Sequence, residues 1–273
     1  MVLFPNAKIN LGLNVVQKRP DGYNDLETVF YPVNLKDALE VIESSESSFH
    51  LSGLPVNGNT DDNLCLKAYK LLKKHFPDLP CVTIYLHKAI PMGAGLGGGS
   101  ANGAFMLSIL NDKFQLHLTQ QQLINFALQL GSDCPFFIIN KPCFATGRGE
   151  NLLSAEVDLS AYKIILVNPG IHISTKAAFS DLIPGIPEKS IRQIISQPIS
   201  TWKNELVNDF EMNVFKLFPQ IKEIKNNLYN AGAIYASMTG SGSTIFGIFE
   251  ANVHLNFSFH EKYSYITLRA QIV

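Results

Sequence analysis

Apolar positions along the first forty-odd residues fall in short β-rich runs: INLGLNVV at 9–16, LETVFYPV at 26–33 and ALEVIE at 38–43. Their length, partial alternation and branched or aromatic content predict strands. KRPDGY at 18–23 separates the first two, and its Pro-Asp-Gly sequence predicts a turn. SGLPVNGNTDDN at 52–63 is polar and reads as a loop. Asp61, Asp62 and Asn63 are candidate caps for a helix running to about His75, with Leu64, Ala68, Leu71 and Leu72 lining one face. VTIYLHK at 82–88 returns to strand character, and a glycine-rich segment precedes a helix expected from Ser100 to about Leu110. TQQQLINFALQL at 119–130 offers Thr119 as cap and Gln122 at the capping-box position, ending at Gly131. Phe136 to Ile139 reads as a buried extended stretch.

GRGENLLSAEVDLSAY, from 147 to 162, is more polar and predicts a boundary, giving domains at 1–155 and 156–273. Beyond it the pattern predicts strands at 162–168, 233–238, 244–249 and 264–270. Helices are expected at 174–182, 188–196, 204–217 and 219–230. The aromatic-rich Phe257–Phe259 run is expected to pack a terminal helix. Grouped strands and helices favour an α+β fold over regular βαβ repetition.

Charge narrows the partners. Lysine and arginine total 22 against 23 acids, so no global positive field gathers nucleic acid or anionic membrane, and neither is an expected partner. Cys65, Cys81, Cys134 and Cys143 form no CxxC pair and no zinc pattern, and they read as thiols in a reducing compartment. No apolar run reaches membrane-spanning length and the first residues lack a secretory pattern, so a cytoplasmic protein is expected. None of the seven histidines has compelling partners for metal binding or acid–base work.

The densest chemical signal is PMGAGLGGGSAN at 91–102, with five glycines between Gly93 and Gly99. Glycine permits positive φ but costs entropy when ordered, a cost justified where backbone amides converge on a ligand. The helix that follows leaves N–H groups at its start that suit phosphate oxygens. A tight strand-to-helix turn is the plainer alternative. Gly93, Gly95 and Gly98 satisfy GxGxxG, yet the segment follows several strands instead of opening the first βαβ unit. A GxxxxGK[ST] loop would need lysine at position 99, which is Gly99. The cation that neutralises phosphate therefore comes from elsewhere in the chain.

Two segments offer that chemistry. LGSDCPFF places Asp133 beyond a helix against apolar neighbours, and PNAKINLG places Lys8 at the entrance to a strand among uncharged residues. A carboxylate in such a setting needs a partner, and a lysine could hold it ionised near a substrate hydroxyl. Each could equally cap an element or form an ordinary ion pair. MTGSGSTIFGIF at 238–249 carries Gly240 and Gly242 before an apolar strand, as a hairpin turn or a second backbone surface at the cleft. Arg148, in FATGRGE, suits either a loop contact or an anionic ligand.

Taken in order, PNAKINLGLNVVQKRPDGYNDLETVF, DDNL, PMGAGLGGGSAN, LGSDCPFF, FATGRGE and MTGSGSTIF resemble the GHMP kinase superfamily over nearly the whole chain. The resemblance implies a two-domain α+β kinase, with an N-terminal domain like domain 2 of ribosomal protein S5 and a ferredoxin-like C-terminal domain. It also implies transfer of the ATP γ-phosphate to the 2-hydroxyl of 4-diphosphocytidyl-2-C-methyl-D-erythritol, an isoprenoid precursor of the non-mevalonate route. On this resemblance Lys8 and Asp133 are the catalytic lysine and aspartate. Pro91, Met92, Gly93, Ala94, Gly95, Leu96, Gly97, Gly98, Gly99, Ser100 and Ala101 form the ATP phosphate loop, and Asn63 lies near adenine. Asn10 falls near the methylerythritol hydroxyls, Tyr23 and Asn24 at cytosine, and Thr175 on the second-domain side. Asn24 stands where the family usually has histidine; its amide offers both a donor and an acceptor. Tyr23 is a stacking platform or a turn-packing ring. Mg²⁺ is expected with the nucleotide, its protein ligands open, and the enzyme is expected as a monomer or homodimer. Another alcohol kinase of the superfamily and a non-catalytic nucleotide-binding protein are the competing readings.

Overall fold

The computed structural model describes residues 1–56, 58–180, 182–253 and 263–269. They form two compact units: Met1–Ala7, Leu35–Met92 and Gly97–Lys141 in the first, and Lys8–Asn34, Gly93–Leu96 and Pro142–Val273 in the second.

The first unit holds a four-stranded sheet ordered Val2–Leu3, Ala38–Glu43, Val82–Lys88, Ser48–Gly53. The first three strands pair antiparallel and Ser48–Gly53 joins parallel to Val82–Lys88. Alternation drives the sheet's burial: Leu39, Val41, Val82, Ile84 and Leu86 are buried, while Tyr85 and His87 stay exposed. Each buried branched side chain contributes about 1.5–3 kcal/mol. Helices Leu64–His75, Gly98–Lys113, Gln120–Leu130 and Cys134–Ile139 complete the unit.

Two of these helices start as their sequences predict. Asn63 caps Leu64–His75 by accepting the Cys65 N–H at 2.9 Å. Asp61 and Asp62 instead form a short 3₁₀ turn whose carboxylates meet Lys70 and Lys67. At the other helix Thr119 Oγ1 accepts the Gln122 N–H and Gln122 Oε1 accepts the Thr119 N–H, a complete capping box.

The second unit contains two four-stranded sheets. One runs Asn6–Lys18, Asn24–Lys36, Cys143–Gly147, Asn151–Ser154. The other runs Tyr235–Met238, Ile245–Glu250, Tyr162–Asn168, Ser264–Arg269, antiparallel throughout. Tyr162–Asn168 is central, so Ile164 to Val167 are all buried and its sequence is continuously apolar. Its core brings Ile165, Val167 and Ile245 together with Val214, Ile224 and Leu228 of the helices Phe210–Leu217 and Pro219–Asn230.

Several expectations change. Phe136 to Ile139 is helical, within Cys134–Ile139, because Pro135 suits the first turn of a helix and an apolar run this short carries no decisive period. Ser48–Gly53, whose last two residues fall in the segment read as a loop, and the hairpin Cys143–Gly147/Asn151–Ser154, which runs into the polar stretch from 147, are strands that the pattern does not predict. The helix expected at 204–217 is broken, since residues 206–208 run extended to meet Leu13: Leu13 N–H donates to Val207 O at 2.8 Å and Asp209 N–H to Leu13 O at 2.8 Å. The Phe257–Phe259 run lies outside the described residues. Among the described residues no helix is long and apolar enough to cross a membrane.

Thr119→Ala should cost about 1 kcal/mol, as loss of an N-cap does, and lower the urea midpoint at unchanged m-value. An unchanged midpoint would mean that helix 120–130 does not depend on its capping box.

Candidate active site

In the second unit the candidate site is organised around a buried ammonium. Lys8, third in the strand Asn6–Lys18, is 3% exposed. Its Nζ donates to Asn10 Oδ1 at 2.6 Å and to the Gly95 carbonyl at 2.9 Å, and lies 5.2 Å from the centre of the Phe30 ring. Residues 8 and 10 share a face of the strand, so the period of two sets this pairing.

Asn10 is itself fixed from both sides. Its Oδ1 also accepts from Thr239 Oγ1 at 3.1 Å, and its Nδ2 donates to Thr28 Oγ1 at 3.0 Å. Thr28 Oγ1 in turn donates its hydrogen bond to Gly12 O. Only one orientation of the amide satisfies both neighbours. Thr239 Oγ1 takes the Asn10 N–H at 3.0 Å and lies 3.1 Å from Gly95 O.

The glycine loop therefore meets the TGSGST hairpin directly. Gly95 has φ +78°, and a Cβ there would fall 1.9 Å from Thr239 O; only glycine fits. Gly240 and Gly242 sit in the turn between Tyr235–Met238 and Ile245–Glu250, so this hairpin is both a turn and a second backbone surface. Asn208 Nδ2 donates to Met238 O and Gly240 O at 2.7 and 2.9 Å, and Glu211 Oε1 accepts the Met238 N–H at 2.8 Å. Ala94 and Leu96 are buried, and the Thr244 N–H donates to Ala94 O.

In the first unit, helix Gly98–Lys113 begins after Gly97, whose left-handed backbone provides no side-chain cap. Its first amides are thus presented without competition from a side chain, which suits an anion. A Cβ on Gly98 would lie 2.8 Å from Ile90 Cγ2, so bulk is excluded here too. Ser100 hydrogen-bonds the Cys134 thiol; burial pushes that thiol up to about 12, and the neighbouring Asp133 charge acts the same way. Asp133 is half-buried at the N-terminus of Cys134–Ile139. Asn63 uses its Oδ1 as a helix cap. Met92 is exposed, while Ala101 is fully buried.

The remaining expected residues lie in the second unit. Tyr23 is 57% exposed on the turn before Asn24–Lys36, with the Arg148 guanidinium 5.0 Å from its ring centre. Asn24 is half-buried at the first position of that strand. Thr175 begins the short helix Thr175–Phe179, its side chain outside the described residues. Sequence reasoning missed Thr28, Asn208 and Glu211, because single polar residues in apolar runs carry no motif. Thr239 lies within the MTGSGST motif, where the glycines carry the stronger signal.

The GHMP kinases N terminal domain model matches residues 63–141, and the GHMP kinases C terminal model matches residues 190–255. The 4-diphosphocytidyl-2-C-methyl-D-erythritol kinase of Bacteroides fragilis is 54% identical over 253 residues, 91% of this chain and 92% of its own. That of Azobacteroides pseudotrichonymphae is 50% identical, covering 95% of this chain and 99% of its own. A crystal structure of 4-(cytidine 5'-diphospho)-2C-methyl-D-erythritol kinase superposes with a TM-score of 0.79 at 31% identity, covering 91% and 90% of the two chains. The chain belongs to the GHMP kinases. Within them it groups with the 4-diphosphocytidyl-2-C-methyl-D-erythritol kinases. For a GHMP kinase the two matched segments are informative: the first contains Gly93–Ser100 and Asp133, and the second contains Asn208, Glu211 and the TGSGST hairpin.

Gly95→Ala should destabilise this GHMP kinase by at least about 1–3 kcal/mol, the cost of left-handed backbone in a non-glycine residue, and suppress turnover. Urea unfolding with an ADP-release assay tests it. A wild-type midpoint together with wild-type turnover would show that the contact with Thr239 is dispensable.

Proposed function

We propose that this GHMP kinase transfers the γ-phosphoryl group of ATP to the 2-hydroxyl of 4-diphosphocytidyl-2-C-methyl-D-erythritol, giving ADP and the 2-phosphate. The observation that carries the reading is the Lys8 ammonium fixed 2.9 Å from the Gly95 carbonyl of the glycine loop. It supplies the cation that residues 91–102 lack in their own sequence.

Phosphoryl transfer needs chiefly alignment and charge stabilisation. Asp133 accepts the proton of the 2-hydroxyl. That oxygen bonds to the γ-phosphorus as the bond to the β–γ bridging oxygen breaks, and ADP leaves with the electron pair. Lys8 stabilises the negative charge shared by the attacking oxygen and the phosphoryl group. Pro91 to Ala101 hold the triphosphate and Asn63 borders the adenine. Asn10 orients the methylerythritol hydroxyls while bracing Lys8. Tyr23 and Asn24 read cytosine, and Thr175 contacts the substrate from the second-domain side. The exposed ring of Tyr23 supports its part.

Mg²⁺ enters with ATP as part of the substrate. Among the described residues no three His, Cys, Asp or Glu side chains group to hold a metal; bound with ATP, the ion would be held by phosphate oxygens, water and at most one or two carboxylates. The family's ATP-binding domain is assigned to residues 1–155 and its second domain to 156–273. The enzyme works in the cytoplasm on small molecules, as monomer or homodimer, without nucleic acid or membrane.

A coupled ADP-release assay with the cytidyl substrate, confirmed by ³¹P detection of the new phosphate, tests the activity. Preference for mevalonate or free methylerythritol phosphate would reject the substrate, and ATP binding without transfer would reject the enzyme. Asp133→Asn should keep the fold and ATP affinity and lose ~10²–10⁴-fold in turnover; near-normal turnover removes Asp133 from the mechanism. Lys8→Met should impair the transfer step, and an effect confined to thermal stability would make it a structural residue.

A further inference from the structure

A second buried lysine lies in the first unit. Lys88, the last residue of Val82–Lys88, is 1% exposed, and the Asp37 side chain is fully buried. Lys88 Nζ donates to Asp37 Oδ2 and, at 2.9 Å, to Asn102 Oδ1. Asn102 Nδ2 donates back to Asp37 Oδ2 at 2.8 Å, closing a triangle. The other carboxylate oxygen, Oδ1, accepts the consecutive amides of Ala89 and Ile90, both at 2.8 Å.

These partners bracket residues 91–101 in sequence. Ala89 and Ile90 are the last residues before the glycine-rich segment, and Asn102 follows it within helix Gly98–Lys113. Lys88 also sits close under the first turn, since a Cβ on Gly98 would lie 3.3 Å from its Nζ. A buried ion pair stabilises little beyond what apolar residues of similar volume provide, so stability alone does not account for it. What apolar residues do not provide is a four-way acceptor: one carboxylate here engages two backbone amides, an ammonium and a carboxamide.

We propose that Asp37, Lys88 and Asn102 are positioning residues for the nucleoside triphosphate. They fix both ends of segment 91–101, so that its amides are arranged for phosphate oxygens before the nucleotide arrives. The assignment rests on the reading of this segment as the phosphate loop. Loss of the triad releases the ends and adds an ordering cost to each binding event.

The test compares wild type, Asp37→Asn/Lys88→Met, which removes both charges together, and Asn102→Ser, which keeps the ion pair. Steady-state kinetics for each substrate are combined with calorimetric titration of a non-hydrolysable ATP analogue and thermal melts. The double variant should raise KM for ATP and Kd for the analogue on the order of 10- to 100-fold, with kcat and KM for the cytidyl substrate within a few-fold. Asn102→Ser should move the same constants by less, and it carries the test alone if the double variant does not fold. Lower melting temperatures with unchanged nucleotide constants would overturn the proposal, as would equal rises in both KM values. If wild type fails to bind the analogue, the phosphate-loop reading falls first and this proposal with it.

Discussion

A lysine ammonium removed from water is the constraint around which the second unit's site is built. Burial of such a charge costs several kcal/mol unless strong acceptors surround it. Lys8 meets that demand with Asn10 Oδ1 and Gly95 O, and neither oxygen is held by Lys8 alone. Asn10 requires Thr28 and Thr239, and the Gly95 carbonyl requires a loop that approaches Thr239 too closely for any side chain. Two adjacent strands, the glycine loop and the TGSGST hairpin thus share one hydrogen-bond network. Networks of this kind are costly when only partly satisfied, so their members are held in a single arrangement.

The two buried lysines are treated differently. Lys88 is met by the Asp37 carboxylate and a carboxamide, in a closed triangle at the ends of a loop. Lys8 has the Asn10 amide oxygen and the Gly95 carbonyl among its partners, next to the loop's glycines. The hairpin carries its own support: Asn208 and Glu211 hold Met238 and Gly240 through main-chain contacts, and Lys225 holds Glu211 in turn.

Local sequence determined more than the element boundaries suggest. The strand at 82–88 and the capping box at Thr119 follow from period and cap chemistry within about ten residues of chain, and the glycine spacing at 93–99 marks where the backbone takes left-handed φ at Gly93, Gly95 and Gly97. The order of motifs named the superfamily. By contrast, the helix expected at 204–217 has suitable periodicity, yet it breaks because Val207 and Asp209 take their main-chain partners from Leu13, about two hundred residues away in the chain. Phe136 to Ile139 could have been strand or helix until Pro135 found a place in a first turn.

The same division holds for the site. Sequence alone determined which residue types are available, where the chain bends freely and which charges stand among apolar neighbours, because these depend on side-chain chemistry and short-range sterics. Tertiary structure alone decided that Thr28 and Thr239 would orient Asn10, that Gly95 would lie against Thr239, and that Asp37 would grip Ala89, Ile90, Lys88 and Asn102 together. Those choices pair hydrogen-bonding groups far apart in the chain, and the need to satisfy each buried donor and acceptor becomes specific only once folding has brought them side by side.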